Sequence, residues 1–185
     1  LGALKLGIYY LFHAESKGRL SAAFKNFQKA SEYDENLHEP WFYLGYCFEK
    51  GYGCKIDANQ AVEYYTKSFE LGNTEAAVNL ALLYYRGQPY KDINETIKYL
   101  LEAAKKMNPR ALYNLGQLYE TGIYEEAYTF HQNLNTAFTL YLYAAKAENS
   151  KAKKSLKRLY KQEIGNANDR KEAELIVNAI PDEAV

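Results

Sequence analysis

The 185-residue chain has few of the residues that staple, break or charge a fold: two Cys, four Pro, one Trp, one Met, and 23 Lys plus Arg against 23 Asp plus Glu. Formal neutrality excludes a strongly electropositive nucleic-acid binder as the default. Cys47 and Cys54 alone cannot build a disulfide framework or a four-ligand zinc site, and they read as two free thiols. No apolar run reaches the roughly 18 to 20 residues that cross a bilayer, so the chain reads as soluble, with no direct membrane insertion. Leu1 to Phe12 has neither a basic start nor a small-residue cleavage site, so it is not a signal peptide. Starting at Leu1 rather than Met, the chain reads as the middle or end of a longer protein, and its compartment is not legible.

Catalytic chemistry is equally sparse. His13, His38 and His131 fall near helix ends or in loops, none at a metal-ligand spacing. The Gly51-Tyr52-Gly53 turn follows a helical pattern rather than a strand and lacks the Lys-Ser or Lys-Thr of a phosphate loop. Adjacent carboxylates such as Asp34 and Glu35 lie in polar connections, not across a cleft. Asn94-Glu95-Thr96 is a glycosylation triplet at a helix start, with Thr96 on an inward stripe. No enzyme activity, metal or cofactor is expected.

What the sequence does have is aromatic and apolar material, with 19 Tyr and 48% apolar residues. It recurs with a period. A Leu, a small residue, an aromatic at plus four and often Gly at plus seven appear as Leu6-Gly7-Tyr10, Leu44-Gly45-Phe48-Gly51, Leu80-Ala81-Tyr84-Gly87 and Leu115-Gly116-Tyr119-Gly122, with a weaker copy at Leu156 and Tyr160. The leucines are spaced 38, 36, 35 and 41 residues apart, which is the period of helical repeats. Each is followed by a small, aromatic or Leu, small stripe: Ala23-Phe27-Ala30, Ala61-Tyr65-Ser68, Thr96-Leu100-Ala103 and Ala137-Tyr141-Ala144. Offsets of three, four and seven lie on one helical face, so each unit reads as two amphipathic helices, A then B. Gly51, Gly87 and Gly122 are expected to cap the A helices in the left-handed conformation, and Asp57 and Asp92 to start the B helices.

At these positions the chain resembles the Sel-one-like repeat proteins, a branch of the tetratricopeptide-like superfamily. The second unit carries the likeness best, through Leu44-Gly45, Phe48, Gly51-Tyr52-Gly53, Asp57, Ala61, Tyr64-Tyr65, Ser68, Gly72-Asn73 and Ala76. The fourth unit departs by about six extra residues before helix B. The resemblance implies an all-α fold, a right-handed superhelical α-solenoid of about five antiparallel helix pairs. As one domain, residues 1–185 would divide into repeats at about 1–36, 37–73, 74–108, 109–149 and 150–181.

The family binds partners on a concave face lined by the A helices, and its offsets project that face onto this chain. They select Phe42, Tyr46 and Glu49 in the second unit, Val78, Leu82, Tyr85 and Arg86 in the third, and Tyr113, Gln117 and Glu120 in the fourth. In the fifth they fall on Lys151, Lys154, Arg158 and Lys161. Residues 146–161 hold seven basic and one acidic residue, whereas residues 31–75 hold nine acidic and three basic, so the neutral total conceals two charged regions. In the first unit the same offsets give Leu4, Ile8, Leu11 and Phe12, an apolar surface expected either to meet a preceding repeat or to bind a partner. The resulting expectation is a non-catalytic scaffold or adaptor holding a protein or peptide, with an acidic segment near the C-terminal repeat. The runner-up is a helical-repeat RNA binder using the C-terminal cations on phosphates and tyrosines as stacking platforms. Neutrality and the irregular period weigh against it, and no nucleic acid is expected.

Overall fold

The computed structural model describes residues 2–125 and 128–181, with the side chain of Tyr124 left aside. It is all-α apart from one short ribbon: α1 Gly2–Phe12, α2 Lys17–Tyr33, α3 His38–Lys50, α4 Ala58–Glu70, α5 Thr74–Arg86, α6 Ile93–Lys105, α7 Pro109–Thr121, β1 Ile123–Glu125, β2 Tyr128–Phe130, α8 Leu134–Lys146, α9 Ser150–Lys161 and α10 Ala167–Asn178. The chain divides into two compact units, Leu1–Thr96 and Ile97–Val185.

The helices stop and start where local chemistry requires it. Gly51 and Gly87 close α3 and α5 in the left-handed conformation, at φ 73° and 77°. Gly122 also has positive φ, 68°, but its ψ of 175° is extended, so it ends α7 without the left-handed cap that its spacing predicts and leads into β1. Asp57 accepts from the N–H groups of Asn59 and Gln60, and Asp92 from that of Glu95. These bonds satisfy the first orphan donors of α4 and α6.

One closure recurs between helices A and B. The backbone N–H of the B-helix cap donates to the carbonyl of the A-helix aromatic: Asp57 to Phe48 at 3.0 Å, Asp92 to Tyr84 at 3.2 Å and Asn133 to Tyr119 at 2.7 Å. In the fourth repeat the extra residues form the antiparallel β1–β2 ribbon, with Ile123 opposite Phe130. Ile123 is buried and the Phe130 ring lies 4.7 Å from that of Tyr119, so the insertion folds back and the chain returns to the same anchor.

In the first unit α1 packs on α2 and α3 on α4, around Leu4, Ala23, Phe27, Ala30, Leu44 and Cys47. Aromatic rings stack along it, Tyr64 lying 5.5 Å from Phe48 and 6.0 Å from Trp41, which is where much of the tyrosine surplus goes. In the second unit α7 packs on α8 and α8 on α9, around Phe138, Tyr141, Leu142, Leu156 and Leu159. Helix α10 starts at Ala167 and buries Ala173 and Val177, with Ile176 and, just past its end, Ile180 half-buried. It ends at Asn178.

Candidate functional site

The A helices can approach their B partners because of the small residue beside each motif Leu. A Cβ built on Gly7 would lie 2.7 Å from the Phe27 ring, one on Gly45 2.7 Å from Tyr65, and one on Gly116 2.7 Å from Tyr141. Such separations are shorter than real carbon contacts, so the glycines let ring and backbone touch.

In repeats two and four that ring is a tyrosine whose hydroxyl reaches a carboxylate on the A helix. Tyr65 donates to Glu49 at 2.8 Å and Tyr141 to Glu120 at 2.7 Å. Each glutamate also meets a cation of the next A helix, Arg86 at 3.7 Å from Glu49 and Arg158 at 2.6 Å from Glu120. Lys50 adds a second cation to Glu49, at 2.6 Å. Burial first, then the adjacent carboxylate, pushes both tyrosine hydroxyls well above the usual phenol pKa. These tyrosines hold protons and do not exchange them near neutrality. The sequence carried a signal for this device: Glu at plus five from the Leu occurs with Tyr on helix B in repeats two and four, while the third repeat has Tyr85 and Leu100 instead.

The projected binding residues divide accordingly. On α3 and α5, Phe42, Tyr46 and Leu82 are half-buried, and Tyr85 is 46% exposed beside the exposed Arg86. Phe42 lies 5.7 Å from the Tyr65 ring, and Tyr46 lies 5.7 Å from Tyr52. The Glu49–Arg86 pair brings the two helices' residues together. Val78 has no accessible surface and belongs to the core, so it presents nothing to a partner. Leu4, projected onto the same face, is likewise in the core; Ile8 and Leu11 are half-buried and Phe12 is exposed.

In the second unit Tyr113 is half-buried with its ring 5.7 Å from Tyr141, Gln117 is exposed, and Glu120 is occupied as described. The cationic stretch 146–161, at the end of α8 and along α9, is less available than its composition implies. Arg158 holds Glu120, Lys153 pairs with Glu148, Lys146 pairs with Glu172, and the buried Lys157 donates to the carbonyl of Ile180. Lys151, Lys154 and Lys161 are exposed.

Both cysteines are free thiols, Cys47 buried and Cys54 half-buried. Burial pushes Cys47 up to about 12 and raises Cys54 too, so neither is a thiolate nucleophile at neutral pH. Among the described residues no group of three His, Cys, Asp or Glu could hold a metal ion. Asn94 is exposed, whereas Thr96 is 2% exposed with its hydroxyl 2.7 Å from the Asp92 carbonyl.

The model of the Sel1 repeat matches residues 1–32, 42–73, 74–106 and 109–149. The chain belongs to the Sel1 repeat family. Sel1 repeat proteins are generally non-catalytic scaffolds for protein interactions, and the chain's helix pairs are those of this fold. Among curated Sel1 relatives, it is 36% identical over 63 residues to the ERAD-associated E3 ubiquitin-protein ligase component HRD3 of Candida glabrata, covering 34% of the chain and 7% of the relative. It is 34% identical over 86 residues to chitin synthase regulatory factor 1 of Schizosaccharomyces pombe, covering 44% and 19%. The chain therefore spans less than a fifth of either protein. Among solved structures, a Sel1 repeat protein from Oxalobacter formigenes superposes with a TM-score of 0.77 at 25% identity, over 98% of this chain and 71% of that one. A protective antigen of uropathogenic Escherichia coli, c5321, gives 0.73 at 24% identity over 95% and 37%, a likeness of fold. Among the described residues no helix is long and apolar enough to cross a membrane.

Proposed function

We propose that the chain is a non-catalytic adaptor of five helix pairs that holds a partner protein through the A-helix residues Phe42, Tyr46, Leu82 and Tyr85, with Lys151 and Lys154 taking an acidic segment. The observation that carries the reading is the contrast on α3 and α5. Glu49 is neutralised by Lys50, Arg86 and the Tyr65 hydroxyl, while aromatic and aliphatic side chains beside it keep accessible surface. A face of that kind suits apolar side chains of a peptide laid across it. The two yeast relatives, named as a ligase component and a regulatory factor, are consistent with a chain that works by holding another protein.

Site-specific photo-crosslinking tests the face. A crosslinker at Tyr85 should capture the natural partner, whereas one at the exposed B-helix residue Glu63 should not. The reverse pattern would move the site to the B helices. Lys151→Glu with Lys154→Glu should weaken capture about tenfold and leave the fold intact, since both are exposed. These are better probes than Arg158, whose reversal would also strand Glu120. Steep log-linear loss of binding with salt would instead indicate a nucleic-acid ligand.

A further inference from the structure

The last helix pair reverses the polarity of the earlier ones in one place. Three and two residues before the motif Leu, helices α3, α5 and α7 carry Trp41 and Phe42, Ala77 and Val78, and Leu112 and Tyr113, all buried or half-buried. Helix α9 has Lys153 and Lys154 there, half-buried and exposed respectively. On the B helices the exchange runs the other way. Two residues after the first small residue of the stripe stand Lys25, Glu63, Lys98 and Thr139. Helix α10, whose Ala173 and Val177 are buried like their counterparts, has Leu175 at that position, 82% exposed. Lys25, Glu63 and Lys98 are exposed although a helix pair follows each of them, so the position faces solvent within a run of repeats and is not a seam between them.

The two exchanges meet in space. A cleft of ≈ 660 Å³ at the C-terminal end of α10 is lined by Leu175, Ile176 and Ile180, and by Lys146, Lys153 and Lys154 from the end of α8 and the start of α9. Its walls are tied together. Lys146 pairs with Glu172 of α10, and the buried Lys157 donates to the Ile180 carbonyl. Lys153 pairs with Glu148, which also lines the cleft. Among the described residues three lysines meet one glutamate on this lining, and Lys154 holds no ion pair.

We infer that this cleft takes an acidic segment of a protein partner that carries a large apolar side chain, with carboxylates on Lys153 and Lys154 and the apolar group on Leu175 and Ile180. The inference rests on the reading that α9 takes an acidic segment, and adds to it an apolar anchor and a place beside α10. Charge complementarity selects the carboxylates. The anchor is selected by a leucine left in water where the other B helices carry polar side chains. The volume is that of a few side chains, which suits a peptide. A lipid surface fits less well, because the Glu148 and Glu172 carboxylates beside the lysines oppose anionic headgroups.

Fluorescence anisotropy of the full chain with a short labelled peptide, a leucine pair flanked by aspartates, tests this. The peptide should bind about tenfold more tightly than a version with serines in place of the leucines. Leu175→Ser should remove that advantage and leave the serine peptide unaffected, whereas Lys154→Glu should weaken both peptides about tenfold. Both side chains are exposed, so each variant should melt within about 2 °C of the parent. Absence of binding, equal binding of the two peptides, or a leucine preference that survives Leu175→Ser would overturn the inference. The natural partner separates it from the A-helix reading. A crosslinker at Leu175 should join an acidic stretch of the same protein that one at Tyr85 captures; capture at Tyr85 alone would leave the A-helix face standing and overturn the cleft. Flotation with phosphatidylserine vesicles, or sedimentation as a dimer, lost in Leu175→Ser would instead assign the leucine to a lipid surface or a second copy. A gain in peptide affinity on Asp182→Asn with Glu183→Gln would assign the cleft to the chain's own next residues.

Discussion

A methyl group on Gly45 would sit 2.7 to 2.9 Å from three carbons of the Tyr65 ring, and that ring is fully buried with its hydroxyl fixed on Glu49. Neither side can yield. Ala is the better helix former by about 1 kcal/mol, but forcing carbon into a filled site costs roughly 1–3 kcal/mol. Gly45→Ala should therefore destabilise the protein by about 1 kcal/mol in urea unfolding. Gly2→Ala, where nothing lies within 4 Å, should not. The glycine was legible as a repeating letter, and its need for a small residue was legible too. The hydroxyl bond above it was not, because a tyrosine on an inward stripe reads as a ring to be buried and its oxygen's partner sits on another helix.

Among the elements, the turn between a B helix and the next A helix is built the same way three times. Gly72, Met107 and Glu148 each precede the Asn that caps the next helix, and all three have positive φ, 101°, 58° and 61°. The Asn N–H reaches back five residues, to Ser68, Ala103 and Ala144 respectively, so the geometry is common to all three turns. Only one of them uses glycine. A side chain in the left-handed region costs about 1–2 kcal/mol, in part offset by glycine's greater unfolded-state entropy. Met107→Gly should raise the unfolding free energy by about 0.5–1 kcal/mol, measured by urea midpoint, with little lost from a side chain that is half exposed. The A-to-B closures show the same economy of form. Asn133 returns to Tyr119 across an inserted ribbon just as Asp57 returns to Phe48 across an ordinary loop. The insertion was visible as surplus length, but its strand pairing was not, since three-residue strands carry too little alternation to read.

For the molecule as a whole, the protons held by Cys47, Tyr65 and Tyr141 set its alkaline limit. Burial raises all three in the folded state, Cys47 to about 12. Unfolding releases them to ordinary values, so above about pH 9 the unfolded state binds fewer protons and stability falls as pH rises. The stability is complete below pH 9. Loss should begin with Cys47 between about pH 9 and 12 and be joined by the two tyrosines above about pH 10, at up to about 1.4 kcal/mol per pH unit for each group. The urea midpoint followed from pH 7 to 11 should decline accordingly, and Cys47→Ala should flatten the first part of that decline. A midpoint independent of pH up to 11 would contradict the burial of these groups. The charge regions are a matter of this scale as well. Counting letters over residues 146–161 suggested a row of cations awaiting an acidic guest, yet at least four of the seven, Lys146, Lys153, Lys157 and Arg158, already hold partners within the second unit.

By itself the sequence determined the helices and their repetition: the Leu and small-residue periodicity, the Gly51 and Gly87 caps and the Asp57 and Asp92 caps follow from spacing along one chain, since a helix places residues three, four and seven apart on one face, and the motifs so spaced resemble the Sel1 repeat. Tertiary structure alone decided which projected residues are accessible. Val78 and Leu4 lie in the core, Glu49 and Glu120 are claimed by tyrosine and arginine, and Leu175 stands exposed. Periodicity is a property of one helix, whereas burial and pairing depend on how far the neighbouring helix stands, and that distance is set where a glycine meets a ring.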